Sequence, residues 1–186
     1  MDSSSPRPHL HSFHAGISGA WRIETIAPVF GEGLKLAGRL AMIVGNEPAP
    51  AGTLWTLSGT TSNTRYANHT EVETLRRSQA NLGRPEATRA ALIPIRKSPA
   101  WWALAQDERR AIFEEQSRHT AIGLEYLPAI ARRLIHSRDH GGEFDFLTWF
   151  EYAPEHAAAF EDLVGRLRAS REWTYVDREV DIRLSR

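Results

Sequence analysis

The chain contains no cysteine. Disulfides, zinc–thiolate sites, iron–sulfur clusters and thiolate-ligated centres are therefore excluded, and any metal would be held by histidine and carboxylates. Methionine is scarce too, at Met1 and Met42 alone; little oxidisable sulfur suits a protein that meets strong oxidants. Net charge is also missing, since 23 basic side chains balance 23 acidic ones. The chain as a whole exerts no pull on nucleic acid or an anionic membrane, so neither is expected as a partner, and a small anion would need a local positive site. No apolar run approaches the roughly 18–20 residues of a membrane span. Residues 1–10 lack the basic-then-apolar pattern of a secretory signal, so a cytoplasmic location is expected.

What is present is an α+β pattern. Residues 1–12 read as a flexible tail, 13–86 as a reduced N-terminal half and 87–186 as a complete C-terminal half. In the C-terminal half, residues 91–96 form an expected strand, with Pro94 arguing for an edge or a bulge. Ser98 offers an N-cap and Pro99 a first helical position. Asp107 is the expected cap of a second helical stretch running to about Thr120, with Gly123 and Pro128 interrupting the pattern beyond it. Residues 132–138 and 143–151 read as strands around the turn-forming Asp139, His140, Gly141 and Gly142. In the later strand Phe144, Phe146, Thr148 and Phe150 share one face, and Asp145, Leu147, Trp149 and Glu151 the other. Pro154 opens a helix with a buried stripe of Ala157, Phe160, Val164 and Leu167. In a last strand, 173–184, Val176, Val180, Ile182 and Leu184 oppose Tyr175, Asp177, Glu179, Asp181 and Arg183. This β-α-β-β-α-β order is ferredoxin-like, and two such sheets can close against each other. In the N-terminal half, residues 19–28 and 53–59 read as strands, 47–52 as a linker and 70–79 as a helix; no sequence repeat ties the halves together.

Among the histidines, His9, His11 and His14 lie in or near the polar tail, where their spacing could bind a metal weakly but a solvated tail is favoured, and His69, His136, His140 and His156 need no special role. His119 differs, because Ile112, Gln116 and His119 fall on one helix face near a helix end. Spacing alone favours a packed core histidine over a ligand. Arg132 opens a strand, where an inward arginine would need an anion or a carboxylate; spacing alone favours a surface salt bridge. Trp101 and Trp102 form core packing or the wall of a large flat apolar ligand. There is no Gly-rich phosphate loop, zinc-protease motif or catalytic-serine pattern.

Residues 97–102, 118–120, 126–127, 132–137 and 144–151 together resemble the chlorite dismutase family, and the chain length resembles its short, dimeric branch. The likeness is close from about residue 87 onward; before that it rests on residues 59–66. The resemblance implies a dimeric α/β barrel type of fold, haem b as cofactor, chlorite as the small anionic substrate, and a homodimer formed through the ferredoxin-like region. The implied activity converts chlorite to chloride and O2 with O–O bond formation. His119 matches the proximal iron ligand, Glu172 the carboxylate behind it, and Arg132 the distal arginine. Lys97, Trp101 and Tyr66 match residues that hold or line the haem, with Lys97 and Tyr66 near its propionates, while Leu127, Thr148 and Phe150 match the distal pocket. Rival readings on this fold are a coproporphyrin-haem decarboxylase, a non-catalytic haem-binding stress protein and a cofactor-free monooxygenase. Arg132 and the short chain stand against the first, and the joint presence of His119, Arg132 and Glu172 against the last.

Overall fold

The computed structural model describes residues 10–61, 69–70, 73–74 and 81–186. Eight strands run β1 (Leu10–Gly16), β2 (Trp21–Phe30), β3 (Arg39–Val44), β4 (Thr53–Thr60), β5 (Arg89–Lys97), β6 (Ala131–His136), β7 (Phe146–Tyr152) and β8 (Val176–Ser185). They close into one antiparallel barrel in the order β1-β3-β2-β8-β5-β7-β6-β4. Counted from β4, the order is β4-β1-β3-β2 followed by β8-β5-β7-β6. Within residues 81–186 the α-helices are α1 (Pro99–Ala103), α2 (Gln106–Arg110), α3 (His119–Glu125) and α4 (Ala157–Arg168), with a π-helical segment, Ala111–Gln116, after α2.

Alternation along the strands builds two cores. Phe13, Trp21, Leu40, Leu57, Leu92, Ile135, Leu147, Trp149, Val180 and Ile182 fill the barrel interior. Ile93, Ile95, Phe146 and Phe150 point outward from β5 and β7 and pack under Ile122 of α3 and Phe160, Leu163, Val164 and Leu167 of α4. β8 is buried on both sides. Its outward Glu179 and Asp181 accept hydrogen bonds from Arg168 of α4, Nε to Oε1 of Glu179 at 2.8 Å and Nη2 to Oδ2 of Asp181 at 2.8 Å. The Trp173 indole also donates to Glu179, at 2.7 Å.

Several expectations are corrected. Residues 10–12 belong to β1, so the tail does not reach 12, and His11 and His14 are buried in that strand. Two strands, β1 and β3, complete the barrel within one chain, so no second copy is needed to close it. Pro94 is not on an edge; β5 lies between β7 and β8, and the missing N–H falls where paired residues skip from Leu92–Ile182 to Ile95–Glu179. Ala105, not Asp107, precedes the second helix, because the Glu108 carboxylate folds back onto the Ala105 amide at 2.7 Å. That helix stops long before Thr120, and Gly123 lies inside α3 rather than ending a helix. Phe144 packs with the barrel core because it precedes β7 and does not follow its alternation. Ala157 is exposed, and Leu163 takes its place in the buried stripe of α4. Residues 171–175 form a 3-10 turn, so the last strand begins at Val176, and a register shift beside Lys97 turns Val176 into the outer core. The expected helix over 70–79 falls largely outside the described residues.

Candidate active site

His119 is placed by a break in the chain. After the π-helical segment, Arg118 adopts a left-handed conformation, φ 53°, which is costly for a residue with a Cβ. The Glu114 carboxylate offsets that cost by accepting the first free amides of α3, from Thr120 at 2.7 Å and Ala121 at 3.3 Å. The helix therefore restarts at His119 itself. The expected single helix carrying Ile112, Gln116 and His119 on one face does not form.

The imidazole is stacked on Phe113, with ring centroids 4.4 Å apart and planes 20° apart. Its Nδ1 lies 2.6 Å from Oε2 of Glu172. An ionised carboxylate only accepts, so Nδ1 carries a proton, and Nε2 is the ring nitrogen turned away from this bond. Glu172 is 3% exposed. Its other oxygen takes a hydrogen bond from Nζ of Lys97 at 2.6 Å, and its amide donates to Oγ of Ser117 at 2.8 Å. Burial raises the carboxyl's pKa, but the facing His119 and Lys97, by charge and hydrogen bond, outweigh it and hold the pKa down at about 2. Lys97 is fixed in turn: its amide donates to Oδ2 of Asp145 at 2.7 Å, and its ammonium sits 4.6 Å above the Trp101 ring and 5.4 Å from that of Trp173.

Opposite α3 lies the outward face of β6 and β7. The register sets Arg132 against Phe150, Leu134 against Thr148 and His136 against Phe146. Most of this face is covered, yet Leu134 is 39% exposed and Thr148 half-buried. Arg132 projects from it toward α3, its guanidinium against Gly123, one turn along from His119. Burial pushes the Arg132 pKa down and the charge of Glu114 draws it back up. An arginine starts so high that it stays a cation.

The expected site residues therefore fall into groups. His119, Glu172 and Lys97 form one chain of contacts, while Arg132, Thr148 and Phe150 share the facing sheet. Leu127 is half-buried on the turn after α3. Two expectations change. The Lys97 ammonium is committed to Glu172 rather than turned to propionates, because the buried carboxylate demands a counter-charge. Trp101 is fully buried beneath Lys97 and meets Tyr175 edge-on at 5.6 Å, so it supports the ion pair instead of presenting a wall. Tyr66 lies outside the described residues. Sequence reasoning missed Glu114, Ser117 and Gly123; Leu134 was legible as the residue two beyond Arg132 on the same strand face.

The family model for chlorite dismutase matches residues 51–186. A dimeric chlorite dismutase structure from Nitrobacter winogradskyi is 61% identical over 95% of this chain and 99% of its own, with a TM-score of 0.87. Chlorite dismutase from Candidatus Nitrospira defluvii, at 18% identity over 96% of this chain and 91% of its own, shares the fold with a TM-score of 0.69. The curated chlorite dismutase of Ideonella dechloratans is 36% identical over 62 residues, 33% of this chain and only 20% of that relative's length. The chain belongs to the chlorite dismutase family.

Proposed function

We propose that the chain is a haem b-dependent chlorite dismutase that converts chlorite to chloride and O2. The observation that carries this reading is a histidine whose Nδ1 is tied to a buried carboxylate, on a helix that faces an arginine on the adjoining sheet. The donors suit haem. Among the described residues no group of three histidine or acidic side chains forms a cage for a bare ion. A single imidazole bonded to a carboxylate through Nδ1, which leaves Nε2 as the coordinating nitrogen, matches what a porphyrin-bound iron needs from a protein.

His119 would hold the iron, and bound haem would supply the redox chemistry of the reaction. Glu172 keeps the proton on Nδ1 and makes the ring a stronger donor. Lys97 keeps Glu172 ionised. Arg132 attracts chlorite and retains its anionic fragment, while Leu127, Phe150 and Leu134 limit water. An oxygen electrode tests the reading: haem-loaded protein should release about one O2 per chlorite consumed, the stoichiometry of ClO2⁻ → Cl⁻ + O2. Haem binding without O2 would move the function to decarboxylation, peroxidation or haem handling.

Arg132→Ala is expected to keep its haem but to lose roughly 10- to 100-fold in anion affinity, the value of one charge-assisted hydrogen bond. It should also bleach after fewer turnovers, as hypochlorite escapes. Equal durability of variant and wild type, followed by Soret absorbance, would remove the confining role.

The two sets of four strands are read as a complete C-terminal ferredoxin-like copy and a reduced N-terminal one. Residues 98–130, carrying α1 to α3, join β5 to β6, whereas residues 17–20 alone join β1 to β2. The chain is also read as a homodimer, as its Nitrobacter relative is described. Ile17, Leu36 and Leu54, 75%, 78% and 54% exposed, are apolar side chains that a partner could cover. Light scattering at micromolar concentration should give twice the chain mass, and a monomer there would refute the assembly.

A further inference from the structure

We propose that Gly123 is the seat of the Arg132 guanidinium, a positioning residue that sets where the anion-holding charge stands. The inference rests on the reading of Arg132 as the group that holds the substrate anion. Glycine is the costliest residue in a helix interior after proline, yet α3, only seven residues long, carries one in its middle. A Cβ built at Gly123 would lie 2.8 Å from Cζ of Arg132, 3.0 Å from Nη2 and closer still to Nη1. Its three nearest atoms all belong to that one guanidinium. By contrast, Gly165 in α4 has open space where its Cβ would stand. The missing side chain at 123 thus makes room for one group.

The consequence is geometric. His119 and Gly123 are four residues apart and share a face of α3. The imidazole and the bare backbone that receives the guanidinium are therefore built on one rigid turn. The position of the arginine's charge is referred to the helix that carries the histidine, and not left to the length of a flexible side chain. A methyl group at 123 must displace the guanidinium. Because only the far end of Arg132 has to move, the fold should tolerate it.

The test is a double-mutant cycle on the haem-loaded chain, with Gly123→Ala, Arg132→Ala, the double variant, and Gly165→Ala as a control for helix propensity. Nitrite, a bent oxyanion like chlorite, is the probe, titrated against the ferric Soret band. Gly123→Ala should weaken nitrite about tenfold, as loss of one charge-assisted contact does, and hold haem within about twofold of wild type. In the Arg132→Ala background it should change nothing further. Without haem, the melting temperature should rise more when Gly123→Ala is added to Arg132→Ala than when it is added to wild type, since only there does the methyl have room. Unchanged nitrite affinity in Gly123→Ala overturns the proposal, and so does equal weakening in both backgrounds. If Arg132→Ala itself leaves nitrite unaffected, the anion-holding reading fails and the inference goes with it.

Discussion

Replacing His119 by alanine is expected to abolish stable haem binding, with affinity falling by well over about a hundredfold. Residues that merely support a metal ligand are worth about 10–100-fold, and His119 is proposed as the ligand itself. Its surroundings hold the ring in place. Phe113 stacks on one side, Glu172 fixes Nδ1, and Glu114 starts the helix at this residue. The substitution removes none of these supports and leaves Lys97 on Glu172, so the variant should fold, with a melting temperature lowered by the lost contact to the buried carboxylate, while the apoprotein no longer develops a Soret band when titrated with haem. A variant that still took up haem tightly would mean that the iron is held elsewhere, and the whole site assignment would fall.

Glu172→Gln is expected to cost about 3 kcal/mol of folding stability near neutral pH. The substitution conserves shape but leaves the Lys97 ammonium, 3% exposed, without its counter-charge; breaking such a pair typically costs 3–5 kcal/mol. Linkage gives a similar size. The Glu172 carboxyl is held at about 2, well below its unperturbed 4.5. A depressed pKa stabilises the fold in full above the unfolded value and is lost as pH falls through the folded one. The contribution is therefore complete above about pH 5 and drains away toward pH 2. Urea unfolding near pH 7 should separate variant from wild type, and at about pH 3 the gap should narrow. Haem affinity should also drop about 10–100-fold, because the carbonyl of glutamine is a weaker acceptor for Nδ1. Equal urea midpoints near neutrality would show that Lys97 does not depend on this partner.

The legible parts of the fold were those specified locally. The β7 alternation, the α4 stripe and the turn at 139–142, where Gly141 takes φ 70°, all carry short-range signals. β1 was missed because His11, Ser12 and His14 look like a solvated tail. They are strand residues because Phe13 and Ala15 fill the barrel while Ser12 and His14 bond to Ser58 and Thr56. The helix break before His119 was invisible for a similar reason. Apolar spacing continues through residues 112–119, and the interruption comes from the Glu114 carboxylate and from Glu172, 53 residues away in sequence. Among the site residues, family resemblance supplied His119, Arg132 and Glu172. It did not show that Lys97 serves the carboxylate, because that pairing spans 75 residues and depends on the burial of both groups.

Closure of the barrel bears on how copies of this chain meet. A strand with unpaired backbone groups is a template for another chain, and closure protects most of the ring but not all of it: β4 meets β6 at Thr60–His136, and β2 meets β3 at Trp21–Leu40 and Arg22–Arg39. Joining two molecules by continuing a sheet would have to start at one of these short seams, so an assembly made by side chains elsewhere on the ring can be dissolved or redesigned without touching the fold. The same closure makes aggregation conditional. Parting any one seam bares two strands at once, so the tendency to clump should follow the rate at which the ring opens rather than the hydrophobicity of its outer surface.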